Sequence, residues 1–199
     1  IILIALSLML VTVVSAQKVE LKYTKKLTKQ DKLYKKGKYK KYKKNSLKQL
    51  NGIEADLGRD HALFALASIN KAKIEELFGD HGNYEKRINN ALSILANQSD
   101  VSMDNYIDGV LRAADVYYEA GYYLAAEKIL VKAMSEVEAE TKFYSDLELQ
   151  LSRNYARQGL YNKALELSAE KLKLYKPKMT DKSLGKARKE YKEKYLQAK

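Results

Sequence analysis

Apolar residues recur with the period of an α-helix over the second half of the chain. From Ile107 they follow the i, i+3, i+4, i+7 spacing that places them on one face of a helix. Gly121 follows this stretch, and glycine readily adopts the left-handed conformation in which many helices end. A second periodic stretch runs from Tyr123 to Val137. Because the connection is so short, the two stretches predict an antiparallel helix pair.

The same plan returns over residues 142–175, where Gly159 separates two further periodic stretches. Pro177 is the only proline of the chain. It predicts the end of the second stretch, because proline lacks an amide proton and clashes with the preceding turn of a helix. A final helix is expected over residues 181–199, with Thr180 and Asp181 as capping residues.

A short sequence phrase marks the middle of each pair: an aromatic residue or Leu, three or four residues, and then Gly-x-Tyr. Its glycines step by 45, 39 and 38 residues, and they are Gly37, Gly82, Gly121 and Gly159. A self-similar period in this range is typical of stacked repeats. We therefore predict an all-α fold, an α-solenoid of antiparallel helix pairs within a repeat domain over residues 30–199. The units span about residues 25–50, 61–96, 104–138 and 142–175.

The two later units resemble the tetratricopeptide repeat (TPR) family. The resemblance rests on small residues and tyrosines placed around the two glycines. They are Ala114, Tyr117, Gly121, Tyr123, Ala126 and Ala133 in one unit, and Ser152, Tyr155, Gly159, Tyr161 and Ala164 in the next. The resemblance implies that the first helix of each pair lines a concave groove, in which peptides or extended segments bind.

The two earlier units depart from the family's pattern. Tyr42 and Arg87 stand where the family has Ala, and the period of the phrase exceeds the family's usual length of about 34 residues. Some helices must therefore be longer than those of the family. Residues 61–78 predict one long helix that is apolar on much of its surface and buried on two sides.

The resemblance implies a groove surface that combines acidic residues, a tyrosine and two arginines. The groove-facing positions are Asp108, Asp115, Tyr118 and Glu119 in the third unit, and Asp146, Arg153 and Arg157 in the fourth. Arg153 and Arg157 are four residues apart on one helical face and can grip a carboxylate or a phosphate. The alternative is a solvated face with ordinary helix charges, on which Asp115 and Glu119 repel each other.

The net charge of +12 is unevenly distributed along the chain. Residues 18–49 hold 14 Lys against two acids, residues 50–170 hold 12 Lys or Arg against 20 acids, and residues 171–199 hold 11 against three. The first tract interleaves lysines with tyrosines and predicts a second candidate surface for an anionic membrane or an acidic polysaccharide. Its lysines are Lys35, Lys36, Lys40, Lys41, Lys43 and Lys44. The alternative is that the tyrosines belong to the core and the lysines to the solvated face.

The first sixteen residues carry no charge and end in Val14-Ser15-Ala16, which fits a signal-peptidase site. A bilayer span needs about 20 residues. We therefore predict a cleaved signal peptide over residues 1–16, with an uncleaved anchor as the alternative, and a flexible Lys-rich spacer over residues 17–29. The expected location is the periplasm, the cell envelope or the cell surface, where nucleic acid is an improbable partner. The missing Met and the C-terminal ending suggest a fragment of a longer protein.

The sequence contains few residues or motifs that are typical of catalysis. The chain has no Cys and only His61 and His81, and it shows no glycine-rich phosphate loop, HExxH or GxSxG motif. We therefore predict a non-catalytic protein–protein interaction scaffold of the cell envelope, with no cofactor or metal and with an unknown protein or peptide as its partner. The alternatives are an extracytoplasmic sensor segment of a membrane-anchored signalling protein and a basic adhesion module for anionic membranes or cell-wall polymers.

Overall fold

The computed structural model describes residues 2–80, 82–97, 101–139 and 141–180, together with Lys189 and Lys192. Over these ranges the chain forms helices and short connections and no β-strand, so the all-α prediction is confirmed. The helices are α1 (Ile2–Lys35), α2 (Tyr39–Leu57), α3 (Ala62–Leu77), α4 (Tyr84–Asn97), α5 (Met103–Glu119), α6 (Tyr123–Ser135), α7 (Lys142–Arg157) and α8 (Tyr161–Thr180). The final helix expected over residues 181–199 lies outside the described ranges, apart from the two lysines.

The chain forms two compact units, residues 1–112 and residues 113–199, and α5 contributes to both. In the first unit α1 packs against α2, α2 against α3, and α3 against α4. In the second unit α6 packs against α7, and α7 against α8. The helices in these contacts thus pack mainly against their neighbours in the sequence.

The two helices of each pair are joined by the same kind of glycine turn. In each turn a glycine with positive φ follows the first helix, and the amide of the next residue donates to the carbonyl five residues earlier, as in a Schellman motif. The four glycines are Gly37, Gly79, Gly121 and Gly159, with φ between 66° and 80°. Helix ends at Gly121 and Gly159 were predicted and are confirmed. In the second pair the turn glycine is Gly79, three residues before the Gly82 that the sequence phrase marks.

The core of the first unit is centred on α3. Most of its residues are buried, because α2 packs on one side and α4 on the other. This confirms the prediction of a helix buried on two sides. Gly109 of α5 lies directly against Leu95, and its lack of a side chain also lets α5 approach Leu66 and Ile69 of α3.

Two boundary predictions are corrected by the helices. The expected flexible spacer over residues 17–29 is part of α1 instead, because Tyr23 and Leu27 are buried and give this Lys-rich stretch an apolar face. Pro177 does not end α8, which continues to Thr180. The proline removes one backbone hydrogen bond, and the Thr180 hydroxyl donates back to the Pro177 carbonyl at 2.9 Å.

None of the described helices combines the length and the apolarity that crossing a membrane requires. Residues 2–16 form the first part of α1, which continues past Ala16 without a break. The signal peptide and its cleavage stay predictions.

Candidate functional site

Tyr118 of α5 and two arginines of α7 form one cluster in the second unit. The Nε–H group of Arg157 donates a hydrogen bond to the Tyr118 hydroxyl at 2.8 Å. The guanidinium groups of Arg153 and Arg157 lie 5.5 and 5.7 Å from the centre of the Tyr118 ring, within cation–π range. Tyr123 packs edge-on against the same ring, with 5.9 Å between the ring centres. We call these four residues the Tyr118 cluster.

A second chain of hydrogen bonds holds Arg153. Its Nη1 donates to Oε1 of Gln150 at 3.1 Å, and Nε2 of Gln150 donates to the Asp115 carboxylate at 2.7 Å. Gln150 is buried, so it fixes both the acid and the arginine. Sequence reasoning missed Gln150, and its one signal is a position three residues before Arg153, on the same face of α7.

The local sequence sets the rotation of α7. The Thr141 hydroxyl caps the helix by accepting a hydrogen bond from the Tyr144 amide at 3.1 Å. Leu147 and Leu151 are buried, and the side-chain amide of the buried Asn154 donates to the Tyr123 carbonyl at 2.8 Å. With these residues facing inward, Arg153 and Arg157 are left exposed at the Tyr118 ring.

The cluster presents two guanidinium groups. The hydrogen bond to the Tyr118 hydroxyl raises the pKa of Arg157 above its ordinary value, which is already far above neutrality. Arginine also holds carboxylates and phosphates through paired N–H groups. The arrangement is therefore suited to binding an anionic group, with the tyrosine ring beside it as an apolar contact.

The remaining predicted groove residues, Asp108, Glu119 and Asp146, lie outside the hydrogen bonds and ring contacts described above. Asp108 lies in the first unit, where it accepts a hydrogen bond from Nε of Arg112 at 2.9 Å and serves an ion network instead. Glu119 is exposed at the end of α5. Asp146 is half-buried on α7, two helical turns before Arg153. The structure thus brings together four of the seven: Asp115, Tyr118, Arg153 and Arg157.

The second candidate surface surrounds the turn between α1 and α2. Its six predicted lysines are all exposed: Lys35, Lys36, Lys40, Lys41, Lys43 and Lys44. Tyr23 and Tyr42 are buried, so for them the alternative interpretation as core residues is confirmed. Tyr39, in contrast, is 41% exposed among the lysines.

The histidine at the start of α3 has a structural role. Nδ1 of His61 accepts a hydrogen bond from the Leu63 amide at 3.1 Å, and its Nε2 lies 3.0 Å from the Glu20 carboxylate. His81 lies outside the described residues. Across the described ranges, no group of three or more His, Asp or Glu side chains is arranged to hold a metal ion.

Comparison of the sequence with models of known protein families found no match, and comparison with curated proteins found none either. The likeness to the tetratricopeptide repeat therefore rests on the residues and the helix pairs described above.

Proposed function

We propose that the protein is a non-catalytic, exported binding scaffold whose helix pairs stack as a tetratricopeptide-like solenoid. On this proposal α5 and α7 line the groove, and the Tyr118 cluster is the point at which a partner segment is held. The observation that carries the proposal is the pair Arg153 and Arg157, both exposed and both held against a single tyrosine ring.

The geometry favours a partner segment that carries a carboxylate. A guanidinium has five N–H donors, so the bond that each arginine makes inside the cluster leaves donors for a ligand. Because Gln150 and Tyr118 already restrict the two side chains, less rotamer entropy is lost when a ligand binds. An acidic side chain or a free C-terminus would meet both cations, while its neighbouring residues contact the tyrosine rings.

The test is a selection of binding peptides from a random display library, with the full chain as the target. We expect an acidic consensus among the selected peptides. Replacing both arginines (Arg153→Gln and Arg157→Gln) should weaken binding at least about tenfold, because a hydrogen bond to a charged group contributes about 1.5 kcal/mol or more.

A matched control removes two exposed lysines of α8, Lys163→Gln and Lys173→Gln, and should change the affinity by less than about twofold. Tyr118→Phe keeps the ring and removes the hydroxyl that positions Arg157, so a smaller loss is expected. Peptides without an acidic consensus, or peptides that bind the double arginine variant as tightly as the wild type, would refute the proposal.

A further inference from the structure

Two exposed aromatic rings lie at one end of the first unit. Tyr39 begins α2 and is 41% exposed, and Phe78 follows α3 and is 45% exposed. Together with Gly37, Lys38, Lys40 and Lys41, they line an open depression of about 600 Å³. Nζ of Lys43 lies 4.3 Å from the centre of the Phe78 ring. The rings and the lysines therefore belong to one continuous surface.

The helix order explains why this surface forms. Since α2 packs antiparallel to α1 and α3, the end of α1, the start of α2 and the end of α3 meet at the same end of the unit. Between Asp31 and Glu54 the sequence contains nine lysines and no acidic residue. We call this end of the unit the basic aromatic surface; its members are Lys35, Lys36, Lys38, Tyr39, Lys40, Lys41, Lys43, Lys44 and Phe78.

We propose that the basic aromatic surface binds an anionic phospholipid bilayer. The lysines pair with lipid phosphates, while Tyr39 and Phe78 enter the headgroup layer, where aromatic rings are favourably placed. Charge complementarity alone would also suit an acidic polymer. The two exposed rings favour the bilayer, because its headgroup layer offers an apolar region in which both rings can be buried at the same time.

The proposal is independent of the Tyr118 cluster, since it uses other residues on other helices. The test is co-sedimentation of the full chain with vesicles of phosphatidylcholine, with and without phosphatidylglycerol, at low and high salt. We expect binding to the anionic vesicles that weakens as salt rises. An apolar leader would bind both vesicle types alike, so the difference between the two compositions isolates the contribution of the chain's positive charge.

The decisive variant replaces Lys40, Lys41, Lys43 and Lys44 with Gln. Each lysine near an anionic surface contributes about fivefold to partitioning, so we expect the loss of all four to weaken binding roughly a hundredfold or more. The matched control removes the same charge from exposed lysines of the second unit and should lose less than about threefold. Its substitutions are Lys128→Gln, Lys163→Gln, Lys173→Gln and Lys176→Gln.

Phe78→Ser separates a bilayer from a polymer. It should weaken binding to anionic vesicles severalfold and leave binding to dextran sulfate unchanged. Three results would overturn the proposal: equal binding to neutral and anionic vesicles, equal loss in the two lysine variants, or an affinity for anionic vesicles that Phe78→Ser leaves unchanged while dextran sulfate binds as tightly as the vesicles. Circular dichroism and thermal unfolding of each variant show whether it has kept the fold.

Discussion

Arg112 links three helices of the first unit, and removing it should destabilise the protein strongly. Its Nη1 and Nη2 bind the two oxygens of Asp31 in α1 at 2.6 and 2.8 Å. Its Nε binds Asp108 of α5 at 2.9 Å, and Nη1 also donates to the Asn70 side chain of α3 at 3.2 Å. Desolvation of the buried guanidinium lowers the pKa of Arg112, but the hydrogen bonds and charges of the two carboxylates together outweigh it, and the pKa is raised. The side chain is 17% exposed and is therefore a largely buried cation held by two carboxylates.

The change Arg112→Met tests this network, because methionine fills much of the same space without a charge. Breaking a fully buried ion pair by removing one partner costs about 3–5 kcal/mol. Asp31 and Asp108 are partly exposed and regain some water, so we expect a loss of about 2–3 kcal/mol in the free energy of unfolding. For a chain of this size that corresponds to a melting temperature about 5–10 °C lower.

Denaturant unfolding followed by circular dichroism measures the loss, and Arg59→Met is the matched control. Arg59 is 75% exposed and pairs with Glu54 on the surface, so its removal should cost less than about 1 kcal/mol. A double-mutant cycle of Arg112→Met with Asp31→Asn should show a coupling of about 1–3 kcal/mol. A loss below about 0.5 kcal/mol for Arg112→Met, or additive effects in the cycle, would refute the reasoning.

Two further predictions concern a turn and a tyrosine. Gly79→Ala should lower the free energy of unfolding by about 1 kcal/mol, because the φ of 79° at Gly79 is unfavourable for a residue with a Cβ atom. The control Gly82→Ala should change the free energy of unfolding by less than about 0.5 kcal/mol. Equal effects of the two changes in denaturant unfolding would contradict this prediction. Burial, and next the hydrogen bond that its hydroxyl donates to Asp56 at 2.6 Å, raise the pKa of Tyr23 to about 12. The protonated Tyr23 hydroxyl therefore makes its full contribution to the free energy of unfolding below about pH 10. That contribution is lost as the pH rises from 10 to about 12. The difference in melting temperature between the wild type and Tyr23→Phe should change over that window, and a constant difference would contradict the argument.

The helix pairs could be predicted from the sequence because their signals are local. The 3.6-residue period of apolar residues and the glycine of the turn can both be recognised within a short stretch of sequence, and both occur around Gly121 and Gly159. The extent of α1 could not be predicted in this way. Tyr23 is buried because its hydroxyl lies against Gly52 of α2, where an added Cβ atom would be 2.7 Å from it, and that fit depends on a residue 29 positions away.

In the first unit, the side chains that depart from the repeat pattern bind partners that could not be predicted from the sequence. Arg87 stands where a small residue was expected, and its guanidinium binds the buried carboxylate of Glu75 through Nε at 3.0 Å and Nη2 at 2.9 Å. Tyr42 is buried, and its hydroxyl donates to the Asn70 carbonyl at 3.3 Å. Long-range polar partners of this kind make larger side chains acceptable at positions where the resemblance predicts Ala.

The candidate site was only partly predictable for the same reason. The spacing of Arg153 and Arg157 indicates a shared face, but their common contact is Tyr118, on a helix that precedes them by more than 30 residues. Asp108 shares α5 with Tyr118, yet its closest cation is Arg112 of the same helix. Helical spacing predicts which residues share a face and leaves open which opposing charge occupies that face.

The two proposed surfaces differ in how their positive charge is held, and this difference makes them separable by experiment. In the Tyr118 cluster the guanidinium groups are fixed by Gln150 and by the tyrosine, so the proposed recognition of a carboxylate would depend on short, directed hydrogen bonds. On the basic aromatic surface the charges are exposed lysines on flexible stems, whose attraction to anions is diffuse and is screened by salt. Binding at the Tyr118 cluster should therefore be sensitive to single substitutions and less dependent on salt, because it involves two cations. Binding at the basic aromatic surface should be less sensitive to single substitutions and more dependent on salt, because many flexible lysines share the attraction to the anion.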